Sequence, residues 1–284
     1  MARCLVTGHK GYIGSKIFNR LEQSGHDVIG IDLLGTQYMG DIRSEKFLRF
    51  NGVWKEFKPE YIFHCAAKPS VQWSVDNPST SLSHNVFGTS QVLEFAKIVG
   101  AKRVIFSSSA AVYGNNGAPC NPYGAHKLMS ELECKIYSDL YDVDTVCLRY
   151  FNVFSKDQQY GGPYSTVVSA WNYALRNRKT LFINGDGEQS RDFIHVDDIV
   201  DCNIFCMDKE FNFNGQHYDV GTGKATSLNQ IKKTISILRD CEWLYNKERE
   251  GDIKASLANT KPLKDMGWLS KTNITECIQK IFGE

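Results

Sequence analysis

The sequence predicts an α/β fold built around a doubly wound parallel sheet, with a smaller lobe in its C-terminal part. Three observations support this prediction. Short β-branched runs alternate with amphipathic stretches through the first two-thirds of the chain. The strand-like runs are almost continuously apolar, as expected when helices cover both faces of a sheet. After about Leu148 this alternation gives way to a glycine-rich stretch with short strand-like runs, which indicates the lobe.

The predicted elements of the first part follow one another along the chain. The strands are short runs rich in β-branched and aromatic residues. They are ARCLVT, DVIGID, YIFHCAA, RVIFSSS and TVCLRY. Helices are expected over 14–23, 81–99 and 123–140. The helix over 81–99 has an apolar stripe that ends at Gly100, a residue suited to a helix C-cap. The stripe consists of Val86, Val92, Leu93, Phe95 and Ala96.

The chain after residue 150 is expected to form the lobe. We expect one domain over 1–150 and a second over 151–284, with some segments of the second returning to the sheet. A helix is expected over 166–175, and short strands are expected around Leu181 and Tyr218. Glycines concentrate in this part, at Gly161, Gly162, Gly185 and Gly187.

Charge and composition limit the partners of the protein. Lys and Arg number 33 against 32 Asp and Glu, so the net charge of +1 favours neither nucleic acid nor an anionic membrane. We find no apolar run of about 18 residues, which a membrane span needs, and no signal-peptide core at the N-terminus. The nine cysteines are odd in number and lack a C-x-x-C pair, which favours reduced thiols in a cytoplasmic protein without a metal site. Small molecules or other subunits remain as partners.

Three glycines follow the first strand, in the segment Thr7-Gly8-His9-Lys10-Gly11-Tyr12-Ile13-Gly14. Glycine lets a strand-to-helix turn approach a pyrophosphate, whose charge then meets the helix N-terminus. Asp32 ends the second strand 18 positions after Gly14, near the spacing at which a carboxylate accepts ribose hydroxyls and repels a 2′-phosphate. The segment therefore predicts a dinucleotide site for NAD rather than NADP. The alternatives are a plain glycine-rich turn and an Asp32 that caps the next turn.

Tyr123 and Lys127 lie four positions apart on a predicted helix, so their side chains face the same way. An ammonium near a phenol favours the phenolate, so we expect the pKa of Tyr123 to lie below its usual value of about 10. The spacing alone is weak evidence, because Tyr12 and Lys16 share it. The second pair is distinguished by a strand that ends in Ser109, whose hydroxyl can meet the phenol. We predict that these three residues form a catalytic site.

Several motifs in this order resemble the extended short-chain dehydrogenase/reductase family, in its nucleotide-sugar 4-epimerase branch. They are TGHKGYIG, HCAAKPSV, FSSSAAVYG, NPYGAHKLMSE, LRYFNVF, NGDGEQSRDFIHVDD, VGTG and REGDI before MGW. The resemblance runs nearly end to end and implies a Rossmann-type NAD-binding domain over 1–150 and a substrate-binding lobe over 151–284. It also implies that Tyr123 is the acid/base, Lys127 the ribose anchor and Ser109 the hydroxyl partner.

The resemblance further assigns cofactor and substrate residues. It implies NAD contacts from Gly8, Gly11, Tyr12, Ile13, Gly14, Asp32, Asp41, Ile42, Ala66, Ala67, Lys68, Asn85 and Tyr150. Of these, Asp41 and Ile42 hold the adenine and Tyr150 lies near the nicotinamide. It places Asn152 by the sugar diphosphate and assigns Arg191, Arg249 and Asp252 to the phosphates and ribose of the nucleotide. Without the resemblance, Arg191 beside Asp192 is read as a solvated ion pair.

Three features depart from the family pattern. His126 stands before the lysine where a serine is usual, and Ser155 stands where a glycine is expected. The loop after Tyr113, GNNGAPCNP, is short. These departures concern loop geometry and substrate closure rather than the three catalytic side chains.

Four reactions share such a site, and Ala110 and Ala111 discriminate between them. A dehydratase of the family has an acidic pair after the catalytic serine, and a decarboxylase a Glu at the position of Ala111. Reduction needs NADPH, which Asp32 disfavours. The sequence therefore favours 4-epimerisation of a nucleotide-sugar through a 4-keto intermediate, and UDP is the nucleotide that we expect. The alternatives are another reaction of the family or a catalytically idle NAD-binding scaffold.

Ser256 and two helices carry the remaining expectations. In related epimerases the residue matching Ser256 borders the 2-position of the sugar, so a serine leaves room for the acetamide of a UDP-N-acetylhexosamine. The segment 158–168, QQYGGPYSTVV, resembles the same loop in acetylhexosamine epimerases. The alternative is a surface serine before a helix. The helices over 81–99 and 123–140 are expected to pair across a two-fold axis as a four-helix bundle in a C₂ homodimer, as the resemblance implies. Met129, Leu132 and Tyr137 are apolar positions expected to be exposed for this pairing, and the alternative is that they face the sheet.

Overall fold

The computed structural model describes residues 1–34, 40–48, 56–161, 165–248 and 254–283. The chain divides into two compact units. The first consists of Met1–Arg149 and Val200–Tyr218, and the second of Tyr150–Ile199 and Asp219–Glu284. No helix of the described ranges is long and apolar enough to cross a membrane.

Strands and helices follow one another along both units. The strands described along the chain are β1 (Arg3–Thr7), β2 (Asp27–Ile31), β3 (Tyr61–His64), β4 (Arg103–Ser109), β5 (Asp144–Tyr150), β6 (Asn152–Phe154), β7 (Leu181–Asn184), β8 (Ser190–His195), β9 (His217–Val220), β10 (Ala225–Ser227), β11 (Trp243–Asn246) and β12 (Ala255–Ser256). The helices are α1 (Tyr12–Gln23), α2 (Glu45–Leu48), α3 (Val71–Asp76), α4 (Pro78–Leu82), α5 (Gly88–Val99), α6 (Pro122–Leu140), α7 (Val167–Arg176), α8 (Val196–Met207), α9 (Leu228–Leu238), α10 (Lys261–Asp265) and α11 (Ile274–Phe282). A π-helical turn (Ser83–Phe87) and a 3₁₀ turn (Ala110–Val112) complete them.

A six-stranded sheet in the order β2-β1-β3-β4-β5-β9 confirms the predicted α/β fold. Strand β1 pairs in parallel with β2 and β3, and β3 pairs in parallel with β4. Every residue of β5 is buried, and so is every residue of β4 except Ser109. The apolar runs were therefore correctly read as strands covered on both faces. The parallel arrangement brings the carboxyl ends of β1, β3 and β4 to one edge of the sheet.

The helix predicted over 81–99 is interrupted, which corrects the sequence prediction. The structure has α4, the π-helical turn and then α5, which ends as predicted with Gly100 in a left-handed conformation. Within the turn, the backbone oxygen of Asn85 accepts a hydrogen bond of 2.6 Å from the Thr89 hydroxyl. An apolar stripe in the sequence does not reveal a π-helical turn, because the helical turns before and after it still place their apolar residues on one face.

The outer face of α6 is apolar, although one of its predicted members points inward. Met129 and Leu132 are exposed as expected. Tyr137 is only 8% exposed, and its hydroxyl donates to Glu94 at 3.1 Å, so its prediction as an exposed position was wrong. Leu132, Ile136 and Leu140 follow one another at a spacing of four residues and are all exposed. They form the apolar face of α6, to which Tyr137 does not belong.

The second unit is built on a small sheet in which β8 is central. Strand β8 pairs with β10, β12 and β6, and β7 forms a separate pair with β11. The buried Asp192 of β8 accepts hydrogen bonds of 2.8 Å from the backbone amides of Thr222 and Gly223. A Cβ atom at Gly221 would lie 2.7 Å from the Asp192 carboxylate, so this turn requires glycine. Asp192 is thus a structural residue, and the solvated ion pair with Arg191 is excluded as its role.

Candidate active site

The glycine turn after β1 has the geometry of a dinucleotide cradle. Gly8 has φ +71°, and a Cβ atom there would lie 2.7 Å from the amide nitrogen of Ala66. A Cβ atom on Gly14 would lie 2.2 Å from the backbone oxygen of Gly8. Helix α1 begins after Gly11, which provides no side-chain cap for the first amides. The helix therefore presents its N-terminal N–H groups and positive dipole end, as a pyrophosphate site requires.

Asp32 is fixed against the glycine turn. One carboxylate oxygen accepts the Lys10 amide at 3.0 Å, and the other accepts the Leu34 amide at 3.1 Å. The bond to Leu34 is the turn-capping role named as an alternative, and the bond to Lys10 adds a link to the dinucleotide turn. The carboxylate can accept further hydrogen bonds, since each oxygen carries two lone pairs. Its position is compatible with recognition of ribose hydroxyls.

Arg43 fixes the position of Asp41, which was assigned to the adenine. Its guanidinium donates to both carboxylate oxygens of Asp41, at 2.9 and 2.6 Å, and to the Ser83 hydroxyl at 3.1 Å. These hydrogen bonds hold the pKa of the Asp41 carboxyl below its usual value. Ile42 beside it is buried. The sequence analysis did not identify Arg43, although its spacing of two residues from a loop aspartate is a usable signal for such a contact.

Asn85 holds the segment 66–68 rather than presenting a free side chain. Its amide oxygen accepts the Lys68 amide at 2.8 Å, and its amide nitrogen donates to the Lys68 carbonyl at 3.1 Å. At the other end, the Ala66 amide donates to the Thr7 hydroxyl at 3.2 Å. Ala66, Ala67 and Lys68 therefore form a segment fixed at both ends beside the glycine turn. The side chain of Asn85 holds this segment through its two hydrogen bonds to the Lys68 backbone.

Ser109 and Tyr123 form the predicted hydroxyl pair. Asn121 caps α6 by accepting the Gly124 amide at 2.9 Å, and this places Tyr123 in the first turn of the helix. The Ser109 hydroxyl lies at the end of β4, where it accepts the Ala111 amide at 3.1 Å. It is also hydrogen-bonded to the phenol of Tyr123. The structure thus brings together these two residues, which are distant in sequence.

Lys127 lies one turn after Tyr123, buried, with its ammonium donating to the Ser107 carbonyl at 2.6 Å. The nitrogen lies 4.7 Å from the ring centre of Phe106 and 5.9 Å from that of Tyr123. Burial lowers the pKa of Lys127 to about 8.

The expectation that Lys127 lowers the pKa of the phenol is wrong for the chain by itself. Burial raises the pKa of Tyr123 to about 12, and the hydrogen bond with Ser109 offsets only part of that rise. The ammonium is directed at the Ser107 carbonyl rather than at the phenol oxygen. Desolvation of a buried phenol outweighs the effect of a cation so placed.

A buried ion pair supports the catalytic strand, and sequence reasoning did not identify it. Arg149 donates to both carboxylate oxygens of Glu131, at 2.9 and 2.6 Å. The same carboxylate accepts the Ser108 hydroxyl at 2.5 Å. Glu131 lies four positions after Lys127 on α6, which was the available signal. Ser108 lies between Ser107, whose carbonyl accepts from Lys127, and Ser109. The ion pair therefore holds β4 in place between these two residues.

The second unit contains a cavity of about 1010 Å³. Asn152 and Arg191 line it together with side chains of α7 and β7, including Tyr173 and Phe182. Two of the substrate residues predicted in this unit, Asn152 and Arg191, therefore face one cavity. An arginine guanidinium, an amide and exposed aromatic rings are suited to the phosphates and base of a nucleotide.

The other residues assigned to substrate or cofactor do not line this cavity or lie outside the described residues. Ser256 pairs with Arg191 in the parallel register of β12 and β8, although the cavity lining does not include it. Arg249 and Asp252 lie outside the described residues. Tyr150 is buried as the last residue of β5. In the segment 158–168, Gln158 accepts the Thr166 hydroxyl at 2.7 Å, while residues 162–164 lie outside the description.

Comparisons with known proteins find relatives over nearly the whole chain. The model of the NAD-dependent epimerase/dehydratase family matches residues 4–221. A UDP-glucose 4-epimerase of Mycolicibacterium smegmatis is 34% identical, over 98% of this chain and 96% of that protein. The structure of a UDP-N-acetylglucosamine 4-epimerase from Methanobrevibacter ruminantium, in complex with UDP-N-acetylmuramic acid, is similar with a TM-score of 0.90 and 32% identity, over 99% of this chain and 97% of that one. The UDP-glucose 4-epimerase of Thermotoga maritima with UDP-glucose gives a TM-score of 0.91 and 31% identity, with the same coverage of 99% and 97%.

Proposed function

The chain belongs to the NAD-dependent epimerase/dehydratase family, and we propose that it is a 4-epimerase of UDP-sugars. NAD is the cofactor of this family. The glycine turn, Asp32 and the fixed segment 66–68 are suited to hold it. One observation carries the proposal: Ser109 is hydrogen-bonded to Tyr123, and alanines rather than acids follow Ser109.

In the proposed reaction Tyr123 acts as the phenolate, after its own proton has passed to solvent. It takes the proton of the sugar 4-hydroxyl, and the Ser109 hydroxyl donates a hydrogen bond to the developing 4-ketone. Bound NAD supplies the acceptor, and then the donor, of the hydride at carbon 4. We assign Lys127, whose ammonium is held by the Ser107 carbonyl, to the ribose hydroxyls of the cofactor. Tyr123 finally returns its proton to the oxygen at carbon 4. The oxidation state of the sugar is unchanged overall.

The 3₁₀ turn after Ser109 argues against dehydration and decarboxylation at this site. Ala110 and Ala111 form the turn, and Ala111 donates its amide to the Ser109 hydroxyl. Neither methyl side chain can move a proton. Elimination across carbons 5 and 6 needs groups that protonate and deprotonate them, and this turn supplies none.

The cavity of the second unit supports a nucleoside diphosphate as the carrier of the sugar. We assign Arg191 to phosphate oxygens, which a planar guanidinium can bind in a bidentate manner, and Asn152 to the sugar-diphosphate. Arg249 and Asp252 keep their assignment to the phosphates and ribose as a prediction, and so does Tyr150 beside the nicotinamide.

We further propose that the sugar is an N-acetylhexosamine, with UDP-N-acetylglucosamine and UDP-N-acetylgalactosamine interconverted and the unacetylated sugars as additional substrates. Ser256 supports this proposal through its register beside Arg191. A serine side chain leaves space for an acetamide and offers it a hydroxyl.

The exposed faces of α4, α5 and α6 support a C₂ homodimer. Leu82, Ile98, Leu132 and Leu140 are large apolar side chains left exposed on these helices. A self-complementary pairing of the two faces would bury them. All nine cysteines are free, which fits action in the reducing cytoplasm.

The experiment that tests the proposed function is incubation with UDP-glucose, UDP-galactose and their two N-acetylated counterparts, followed by separation of the stereoisomers. The expected result is interconversion at carbon 4 without net consumption of NAD, and its loss in Ser109→Ala. Formation of a 4-keto-6-deoxy sugar or release of CO₂ from a uronic acid would replace epimerisation with another reaction of the family. No product with any of these sugars, together with intact NAD binding, would favour the idle scaffold.

A further inference from the structure

His126 departs from the family pattern, and its buried side chain has a defined partner. It precedes Lys127 on α6, is 5% exposed, and its Nδ1 lies 3.1 Å from the hydroxyl oxygen of Ser81. A serine at position 126 would end one bond nearer the backbone and would not reach Ser81 from the same position. The histidine therefore links α6 to α4 at a point where the usual residue would leave a gap.

The hydrogen bonds around Ser81 determine the direction of this contact. The Asn85 amide nitrogen, which can only donate, points at the Ser81 hydroxyl oxygen at 3.3 Å. Nδ1 of His126 is the acceptor that the described residues offer to the Ser81 proton. The Ser81 hydroxyl therefore donates to Nδ1, and His126 is the neutral tautomer that carries its proton on Nε2. Burial lowers the pKa of His126, in agreement with a neutral ring.

Asn85 transmits this contact to the segment 66–68. Its amide group is oriented by Ser81 on one side, and it accepts from the Lys68 amide and donates to the Lys68 carbonyl on the other. Without Ser81, the amide nitrogen would lose one of the two acceptors that define its orientation. The Lys68 peptide would then be held less firmly.

A second branch ties the same turn to the end of β1. Thr89 donates to the Asn85 carbonyl at 2.6 Å, so its hydroxyl accepts from Nε2 of the buried His64 at 3.0 Å. Nδ1 of His64 then accepts from Thr7 at 2.7 Å, and burial lowers the pKa of His64 to about 3, which keeps its ring neutral. Both ends of the segment 66–68 thus belong to one buried network.

The connection between α6 and this network runs through two residues. The Ser130 hydroxyl contacts the carbonyl of Asn85 at 3.1 Å and that of His126 at 2.9 Å. The hydrogen bond from Ser81 to His126 is the second link between α6 and this network. Loss of the histidine therefore removes the connection between α6 and Asn85 that runs through Ser81 and leaves the one through the Ser130 hydroxyl.

We propose that His126 is a positioning residue which, through Ser81 and Asn85, fixes the segment 66–68 and thereby slows the release of NAD. It acts without touching the cofactor. The inference rests on the proposed function only for the presence of NAD beside this segment.

The experiment compares the parent with His126→Ser, His126→Asn and Tyr137→Phe. Holoenzyme with bound NAD is mixed with excess NADH, and the fluorescence of newly bound NADH reports the rate at which NAD leaves. The Asn side chain keeps an acceptor oxygen close to the position of Nδ1. Tyr137→Phe is the matched control, since it removes one part-buried hydrogen bond from the same helix outside the network.

We expect NAD release from His126→Ser to be about five to ten times faster than from the parent, as for the loss of one neutral hydrogen bond. Release from His126→Asn should stay within about twofold of the parent. Tyr137→Phe should lower the melting temperature without changing release. At saturating NAD, kcat of His126→Ser should stay within about twofold of the parent, because the catalytic side chains are unaltered.

Parental release from a folded His126→Ser would overturn the inference, and so would equally fast release from the Ser and Asn variants, which would assign the effect to ring volume. Should His126→Ser fail to fold, Ser81→Ala removes the same hydrogen bond from the other side and must accelerate release likewise. A parent that binds no NAD would overturn the proposed function as well. A parent that exchanges NAD at the same rate as every variant would overturn this inference alone.

Discussion

The ammonium of Lys127 donates a hydrogen bond of 2.6 Å to the backbone carbonyl of Ser107, which ties the helix that carries Tyr123 to the strand that ends in Ser109. The contact keeps the three side chains of the site on two rigid elements. It also directs the positive charge away from the phenol, whose pKa burial raises to about 12. In the chain by itself, Tyr123 is therefore protonated at neutral pH.

Tyr123→Phe should reduce kcat by roughly 10²–10⁴-fold, because in the proposed reaction the phenol oxygen performs the proton transfer. Turnover of a UDP-sugar by the purified variant measures this effect. Fold and nucleotide binding should be preserved, since the ring remains. Activity within tenfold of the parent would contradict the role. Tyr137→Phe on the same helix serves as the control and should keep parental turnover.

Lys127→Met should change how stability depends on pH. The pKa of Lys127 is lowered from 10.5 to about 8 in the folded chain. Between these values the unfolded chain binds more protons than the folded one, so this group adds stability as pH rises through that window and removes it as pH falls. From pH 7.5 to 10 the gain is about 2 kcal/mol, and methionine abolishes it.

Urea unfolding of nucleotide-free protein at both pH values, for the parent and the variant, measures that difference. Lys135→Met is the control, because Lys135 is an exposed lysine on the same helix, paired with Asp139. An equal change in parent and Lys127→Met would show that the lysine keeps its ordinary titration.

Asp32→Ala should weaken NAD by about tenfold or more and reduce the discrimination against NADP. A carboxylate bonded to ribose hydroxyls contributes more than a neutral acceptor, and it repels a 2′-phosphate. Titration of nucleotide-free protein with both dinucleotides measures the change. Asp27→Ala, at the exposed start of the same strand, should have no effect. Release of NADP alone from the denatured parent would contradict the assignment of NAD.

Ser256→Tyr should shift the ratio of kcat/KM for UDP-N-acetylglucosamine over UDP-glucose by about tenfold or more toward UDP-glucose. The larger side chain fills the space proposed for the acetamide, and lost fit of a few atoms is worth about 1–3 kcal/mol. Ser256→Ala keeps that space and should retain most of the preference. An unchanged ratio in Ser256→Tyr would show that Ser256 does not select the sugar.

Leu132→Glu should convert a dimer into a monomer in light scattering at micromolar concentration. The side chain is 62% exposed on the apolar face of α6, and a buried unpaired carboxylate on each side of a two-fold axis is unfavourable. Ile237→Glu on α9, at a side chain that is 76% exposed, is the control and should keep the parental mass. A monomeric parent would remove the proposed dimer.

Most of the fold and the centre of the site could be predicted because they are encoded locally. Apolar runs of strand length, helical stripes and the capping glycine at Gly100 depend on neighbouring residues, and each was found as expected. The glycine turn and the Tyr123–Lys127 spacing are equally local. The burial of Tyr137 was predicted wrongly and the structural role of Asp192 was missed, because each depends on a partner distant in sequence. The π-helical turn was also missed, although its contact joins residues four positions apart, because the apolar stripe does not reveal it.

The sequence by itself determined the α/β architecture and the glycine turn, since short-range pattern suffices for them, and it predicted Ser109, Tyr123 and Lys127 as a catalytic trio. Only the tertiary structure decided the electrostatics of the trio and its support. The raised pKa of Tyr123, the Glu131–Arg149 pair and the link from His126 through Ser81 to Asn85 arise when distant residues are buried together. Desolvation and hydrogen-bond partners then set the properties of each group, and neither can be read from its neighbours in sequence.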